Sequence, residues 1–145
     1  MKILEIGGKN YTFKFSVDAS LYGECTEKVA NLFIGLGEVG NVSKLIKNMS
    51  NIPQQTLVMF YAGLLECHSD EIRSEKDAKD LLKQYLIEHK DEDNATFYDV
   101  MNEMLECMAD DGFFKLIGLE RLFNPTKQPK KPQYNKKKST KITED

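Results

Sequence analysis

The spacing of apolar residues changes from a two-residue period to a helical period after the first fifteen positions. Residues 11–15 read Tyr-Thr-Phe-Lys-Phe, the alternation of a strand with one buried face. The apolar run at residues 3–6 precedes it, and Gly-Gly-Lys-Asn at 7–10 lies between the two, which predicts a β-hairpin. A two-stranded hairpin is marginal alone, so we expect its aromatic face to pack on helices.

Helical spacing and capping residues account for the next hundred positions. Asp18 is the expected N-cap of a first helix that ends near Ile34. Ser74 and Thr96 are each followed three residues later by an aspartate, a capping-box spacing with Asp in place of Glu. A short helix is predicted at 42–49, and a further helix begins after Asn51, with Pro53 in its first turn. The apolar stripe of that further helix comprises Leu57, Phe60, Tyr61, Leu64, Leu65 and His68. Two more helices are predicted after Ser74 and Thr96, and an apolar segment follows Gly112 at 113–123.

Charge divides the chain into two parts. The last 22 residues carry seven lysines against two acidic residues, whereas the first 123 residues carry 13 basic and 21 acidic side chains. The tail has few apolar residues to offset the entropy cost of ordering. We therefore predict a mostly α domain over residues 1–123, with an N-terminal two-stranded β-hairpin followed by about five helices, and a disordered, flexible Lys/Pro-rich tail over residues 124–145.

Length and composition restrict the class of protein. The 145 residues, 41% of them hydrophobic, suit one packed domain. Apolar runs fall short of the roughly 20 residues that a bilayer requires, so we expect no membrane span. The charged first residues lack the apolar stretch of a signal peptide, and three widely spaced cysteines give no disulfide framework, so we expect a cytosolic, reducing environment.

Several short motifs suggest chemistry that their context does not favour. Cys67 and His68 are adjacent, but adjacent helical residues diverge by about 100°, so we expect structural roles for them. Three cysteines and two histidines show no zinc-site spacing. Residues 35–40 match the GxGxxG motif, but they follow a predicted helix and not a strand. We therefore predict no catalytic residues, no cofactor and no metal.

A late group of methionine and aromatic residues leaves two interpretations open. Such stripes usually form the core, but adaptable Met-rich faces also bind partner helices in grooves. This group comprises Phe97, Met101, Met104, Met108, Phe113 and Phe114.

The order of elements resembles a known family over about residues 1–123. A strand–glycine–strand start at residues 4–15 runs straight into a helix, followed by a glycine-broken apolar loop, a Leu/Tyr/Ala helix near 56–67 and an acidic C-terminal helical pair. This pattern resembles the tail assembly chaperones of long-tailed (siphovirus) bacteriophages, especially those of Gram-positive hosts. The basic tail has no counterpart in that pattern.

The resemblance implies a non-enzymatic chaperone of the bacterial host cytoplasm that is absent from the mature virion. It would bind and solubilise the tape measure protein and help to recruit the major tail protein. Self-association as a homo-oligomer is a hypothesis for such a chaperone. A longer frameshifted form, made near the lysines at 136–138, is a further hypothesis. Apolar residues surplus to a small core are the expected partner contacts: Phe33, Ile34, Leu36, Phe113, Phe114, Leu116, Ile117, Leu119, Leu122 and Phe123.

The alternative is a small helical regulator or nucleic-acid-binding protein that uses the basic tail. Lysines attract phosphates whatever the sequence of the nucleic acid. However, the acidic 1–123 domain would repel a polyanion, so we expect nucleic acid to be the poorer partner.

Overall fold

A computed structural model of the chain describes residues 1–36, 51–93 and 95–119, with the backbone alone at 33–36. The described part is mostly helical with an N-terminal β-hairpin, which confirms the predicted fold class. The predicted helix at 42–49 and the basic tail lie outside it. In chain order the elements are β1 (Lys2–Ile6), β2 (Lys9–Phe13), α1 (Val17–Leu21), α2 (Gly23–Leu36), α3 (Ile52–His68), α4 (Glu75–Glu88), α5 (Phe97–Asp110) and α6 (Phe113–Leu116).

The hairpin is tighter than its sequence suggests. The strands β1 and β2 pair antiparallel, with Lys2 opposite Phe13 and Ile6 opposite Lys9, so the turn contains only Gly7 and Gly8. Their φ angles are 61° and 77°, values that glycine adopts without steric cost and that a two-residue hairpin turn requires.

The buried face of the hairpin packs on helix α3. Phe13 is fully buried, and its ring lies 4.8 Å from that of Phe60 between ring centroids. Beyond the strand, the Lys14 amide donates a hydrogen bond of 2.8 Å to the carbonyl oxygen of Gly63. The expected packing of the aromatic face on helices is thus confirmed.

Helix α3 is the centre of the domain. It contacts β2, α1, α2, α4 and α5, and side chains on most of its circumference are buried. The predicted apolar stripe identifies only part of this surface, because Leu57 and Tyr61 are half-buried while Thr56 and Met59 are fully buried. A helix that is enclosed on most sides carries no single narrow stripe from which its orientation could be predicted.

The first predicted helix is in fact two helices. Tyr22 takes an extended conformation between α1 and α2, with φ −82° and ψ 94°, and Ser16, not Asp18, occupies the N-cap position. The Tyr22 ring lies 5.4 Å from that of Tyr61, and its hydroxyl donates to Glu75 at 2.6 Å. The residue at the break between α1 and α2 is thus in contact with both α3 and α4.

The capping residues predicted for α4 and α5 are confirmed. Ser74 Oγ accepts a hydrogen bond of 3.2 Å from the Asp77 amide. Thr96 and Asp99 form a complete capping box, with bonds of 3.2 Å and 3.1 Å in the two directions. None of the described helices is long and apolar enough to cross a membrane.

Candidate functional site

An open apolar groove lies where α3, α4 and the start of α5 meet. Its volume is about 520 Å³. Two of its large hydrophobic side chains are exposed, Ile87 by 57% and Phe97 by 37%. We call this feature the α3–α4 groove; it is lined by Pro53, Gln54, Leu57, Lys79, Leu82, Lys83, Leu86, Ile87, Lys90 and Phe97.

The apolar surface of α4 is wider than its core contacts require. Ala78, Leu81 and Tyr85 are buried against the domain. Leu86 is only half-buried, and Ile87 is exposed. Neighbouring positions on a helix point in directions about 100° apart. Leu86 and Ile87 therefore extend the apolar stripe of α4 beyond the part that contacts the core, and they line the groove.

Phe97 is held at one end of the groove by hydrogen bonds of its neighbours. The buried hydroxyl of Thr56 donates to the Phe97 carbonyl oxygen at 3.0 Å. The capping box of Thr96 and Asp99 fixes the backbone on either side. The position of Phe97 is therefore set by α3 and by the start of α5 together.

Among the described residues, the charged side chains that line the groove are those of three lysines, Lys79, Lys83 and Lys90. Within the described ranges, none of the three forms an ion pair or a side-chain hydrogen bond. Four other lysines are each paired with a carboxylate: Lys2 with Glu103, Lys9 with Glu71, Lys14 with Glu66 and Lys76 with Asp80.

Cys67 and His68 are adjacent in the sequence but have different surroundings. Cys67 is exposed. The Thr12 amide donates to His68 Nε2 at 2.8 Å, and the Tyr11 ring lies 5.1 Å from the imidazole. An Nε2 atom that accepts a hydrogen bond places the proton of the neutral ring on Nδ1. The imidazole thus joins the end of α3 to the second strand.

The other two thiols lie in the core. Burial raises the pKa of Cys25 to about 12, and burial followed by the nearby Asp111 carboxylate raises that of Cys107 to about 11. Both thiols are therefore protonated and poor nucleophiles at neutral pH. Over residues 1–36, 51–93 and 95–119, His, Cys, Asp and Glu form no group that could hold a metal ion.

The predicted partner contacts fall into different environments. Phe113 is fully buried and Leu119 is 7% exposed, so the expectation that these two are surplus to the core is wrong. Gly112, with a φ of 75°, reverses the chain after α5, and Phe113 then packs 5.6 Å from the Phe15 ring. Leu116 is 51% exposed.

The remaining predicted contacts are half-buried or lie outside the described side chains. Phe114 and Ile117 pack against the edge of the core. The side chains of Phe33, Ile34 and Leu36, and the whole of Leu122 and Phe123, are outside the described part, so their predicted role stays a prediction.

The two interpretations of the late apolar group each apply to part of it. Met101, Met104 and Met108 belong to the core. Phe97 instead lines the α3–α4 groove.

The groove residues of α4 were missed as a site, because their stripe also fits a buried helix face. The lysines at 79, 83 and 90 provided a signal, since they flank that stripe on one side.

Comparison of the chain with protein-family models, with curated proteins and with solved structures finds no match. The resemblance to tail assembly chaperones therefore rests on the order and composition of the elements.

Proposed function

We propose that this protein is a non-enzymatic tail assembly chaperone of a long-tailed bacteriophage, and that it binds and solubilises the tape measure protein through the α3–α4 groove. The observation that carries the proposal is an open apolar groove with Ile87 and Phe97 exposed at its surface. Grooves between helices are a common binding site for the apolar face of an amphipathic helix. A tape measure protein presents such faces along its length.

The size of the groove suits reversible binding. Covering an Ile or Phe side chain contributes roughly 1.5–3 kcal/mol at most, and both of these are already partly covered. Binding also has to offset the lost freedom of two molecules. Weak contacts repeated along a rod would keep its apolar stripes covered and still allow displacement when the tail tube polymerises.

Exposed apolar residues on two other helices support a role with two partners. Val17 and Leu21 on α1 are 56% and 78% exposed, and Leu116 on α6 is 51% exposed. The helices α1 and α6 are in contact. These residues include one of the predicted contacts and are candidates for binding the major tail protein or for self-association.

Co-expression with a tape measure protein tests the proposal. We expect the soluble fraction of the tape measure protein to rise with this chain and to fall again with Ile87→Ser. Ile3→Ser is the matched control, because Ile3 is also 57% exposed but lies on the hairpin and does not line the groove. It should leave the soluble fraction unchanged.

Two results would contradict the proposal. The first is a tape measure protein that is no more soluble with this chain than without it. The second is salt-sensitive binding of nucleic acid in a gel shift without any effect on the tape measure protein, which would favour the alternative of a nucleic-acid-binding regulator.

A further inference from the structure

We infer that the α3–α4 groove selects amphipathic helices whose apolar face is bordered on one edge by carboxylates. The identity of the partner as a tape measure protein rests on the proposed function. The chemistry of the bound segment rests on the groove itself, because the lysines beside its apolar floor have no ion-pair partner in the described part of the chain.

The distribution of charge is the first argument. The described residues hold ten basic and 19 acidic side chains. Nevertheless, three of the ten basic residues line this one groove and no acidic residue does. Lys76, one turn earlier on the same helix, pairs with Asp80. The three groove lysines have no carboxylate partner among the described residues, so they can pair with a bound partner.

The arrangement of the lysines is the second argument. Lys79 and Lys83 lie one turn apart on α4, about 6 Å along its axis, and Lys90 follows just beyond the helix end. All three therefore lie along the α4 side of the groove. A helix in the groove would meet them with acidic side chains spaced four residues apart on one edge.

The walls of the groove favour a helix over an extended strand. Binding of a strand requires an open sheet edge with unpaired backbone groups. The lining residues come from α3, α4, α5 and the turn after α4, and none comes from β1 or β2. The α4 wall from Lys79 to Ile87 is about 12 Å long, which matches roughly two turns of a bound helix.

Charge also argues against occupation by the basic segments of this chain. The predicted helix at 42–49 carries two lysines and no acidic residue, and the tail carries seven lysines against two acidic residues. Either segment would place like charges beside the lysines of the groove, which disfavours association. A separate acidic helix is the complementary occupant.

Three synthetic peptides test the inference with the full chain. Each peptide is a helix of about 16 residues with the same apolar face. The edge of that face carries Glu in the first peptide, Gln in the second and Lys in the third. We expect fluorescence anisotropy to rank their affinities Glu, then Gln, then Lys, and the Glu peptide to lose affinity as salt screens the charges. Equal affinity for the Glu and Lys peptides would overturn the inference.

A charge reversal shows whether the lysines of the groove are responsible. The double variant Lys79→Glu with Lys83→Glu should bind the Glu peptide at least tenfold more weakly than the original chain does, and it should bind the Lys peptide more tightly. Lys76→Glu with Lys115→Glu changes the net charge equally outside the groove and should alter neither affinity by more than about twofold. Equal losses from both double variants would mean that only overall charge matters, which contradicts the inference.

Two further measurements separate this inference from the proposed function and from self-association. If the reversed variant solubilises the tape measure protein as well as the original chain does, the inference fails and the chaperone function stands. If the chain binds the Glu peptide more tightly than the Lys peptide but does not solubilise the tape measure protein, the proposed function is wrong and the inference about the groove stands. A dimer in sedimentation that dissociates on charge reversal would assign the groove to a second copy and overturn the inference.

Discussion

Gly63 lies where helix α3 comes closest to the chain that follows the hairpin. Its carbonyl oxygen accepts a hydrogen bond of 2.8 Å from the Lys14 amide. A Cβ atom at this position would lie 3.0 Å from Phe13 Cδ2 and 3.0 Å from Phe15 Cζ. Both rings are fully buried and have little room to withdraw. We therefore expect Gly63→Ala to destabilise the domain.

Two opposing effects set the size of the loss. Alanine in the interior of a helix is favoured over glycine by about 0.8–1.0 kcal/mol. An added methyl group in a tightly packed core costs about 1–3 kcal/mol. The steric cost exceeds the gain in helix propensity by about 1 kcal/mol, so the free energy of unfolding should fall by that amount. For a domain of this size, this corresponds to a fall in Tm of about 3–6 °C.

Gly23→Ala provides the matched control. Gly23 also lies in a helix, at the first position of α2, but a Cβ atom there would meet nothing within 4 Å. We expect its free energy of unfolding to be unchanged or slightly raised. Urea unfolding followed by circular dichroism measures both variants, and equal slopes m would show that the unfolded states are comparable.

A second substitution tests the assigned cause. Phe15→Leu removes ring atoms that approach the Gly63 position, so Gly63→Ala should be less harmful in that background than in the original chain. A coupling of about 0.5 kcal/mol or more is expected for residues in contact. The reasoning is refuted if Gly63→Ala is at least as stable as the original protein, or if the two substitutions are additive.

Three other predictions concern local contacts. Native protein should take up one alkyl group per chain, at Cys67, and three in denaturant, as counted by mass spectrometry; native labelling of Cys25 or Cys107 would contradict the buried arrangement. Thr96→Ala should lower the free energy of unfolding by about 1 kcal/mol through loss of the N-cap, and an unchanged midpoint in urea would argue against it. His68→Ala should cost about 1–3 kcal/mol, because a strand amide loses its acceptor, whereas His68→Gln, which keeps an acceptor, should cost less.

Several elements were predicted from the sequence because their causes are local. The alternation at residues 11–15 and two consecutive glycines define the hairpin. Thr96 and Asp99 mark the start of α5 because the bonds they form join residues only three positions apart. The structural role of His68 was also expected, although its partner in β2 could not be identified.

Other features were decided by contacts between segments far apart in the sequence. The apolar pattern predicted one continuous helix through Tyr22, but contacts with Tyr61 and Glu75 accompany a break there. Phe113 was expected at the surface, but the turn at Gly112 brings it into the core.

The sequence by itself determined the hairpin, the capped helices and the excess of acid in the first 123 residues. Only the tertiary structure decided that α3 is largely enclosed, while Ile87 and Phe97 remain exposed beside three lysines that have no carboxylate partner among the described residues. The physical reason is that periodicity shows which face of a helix is apolar. How much of that face is covered depends on where the other helices pack.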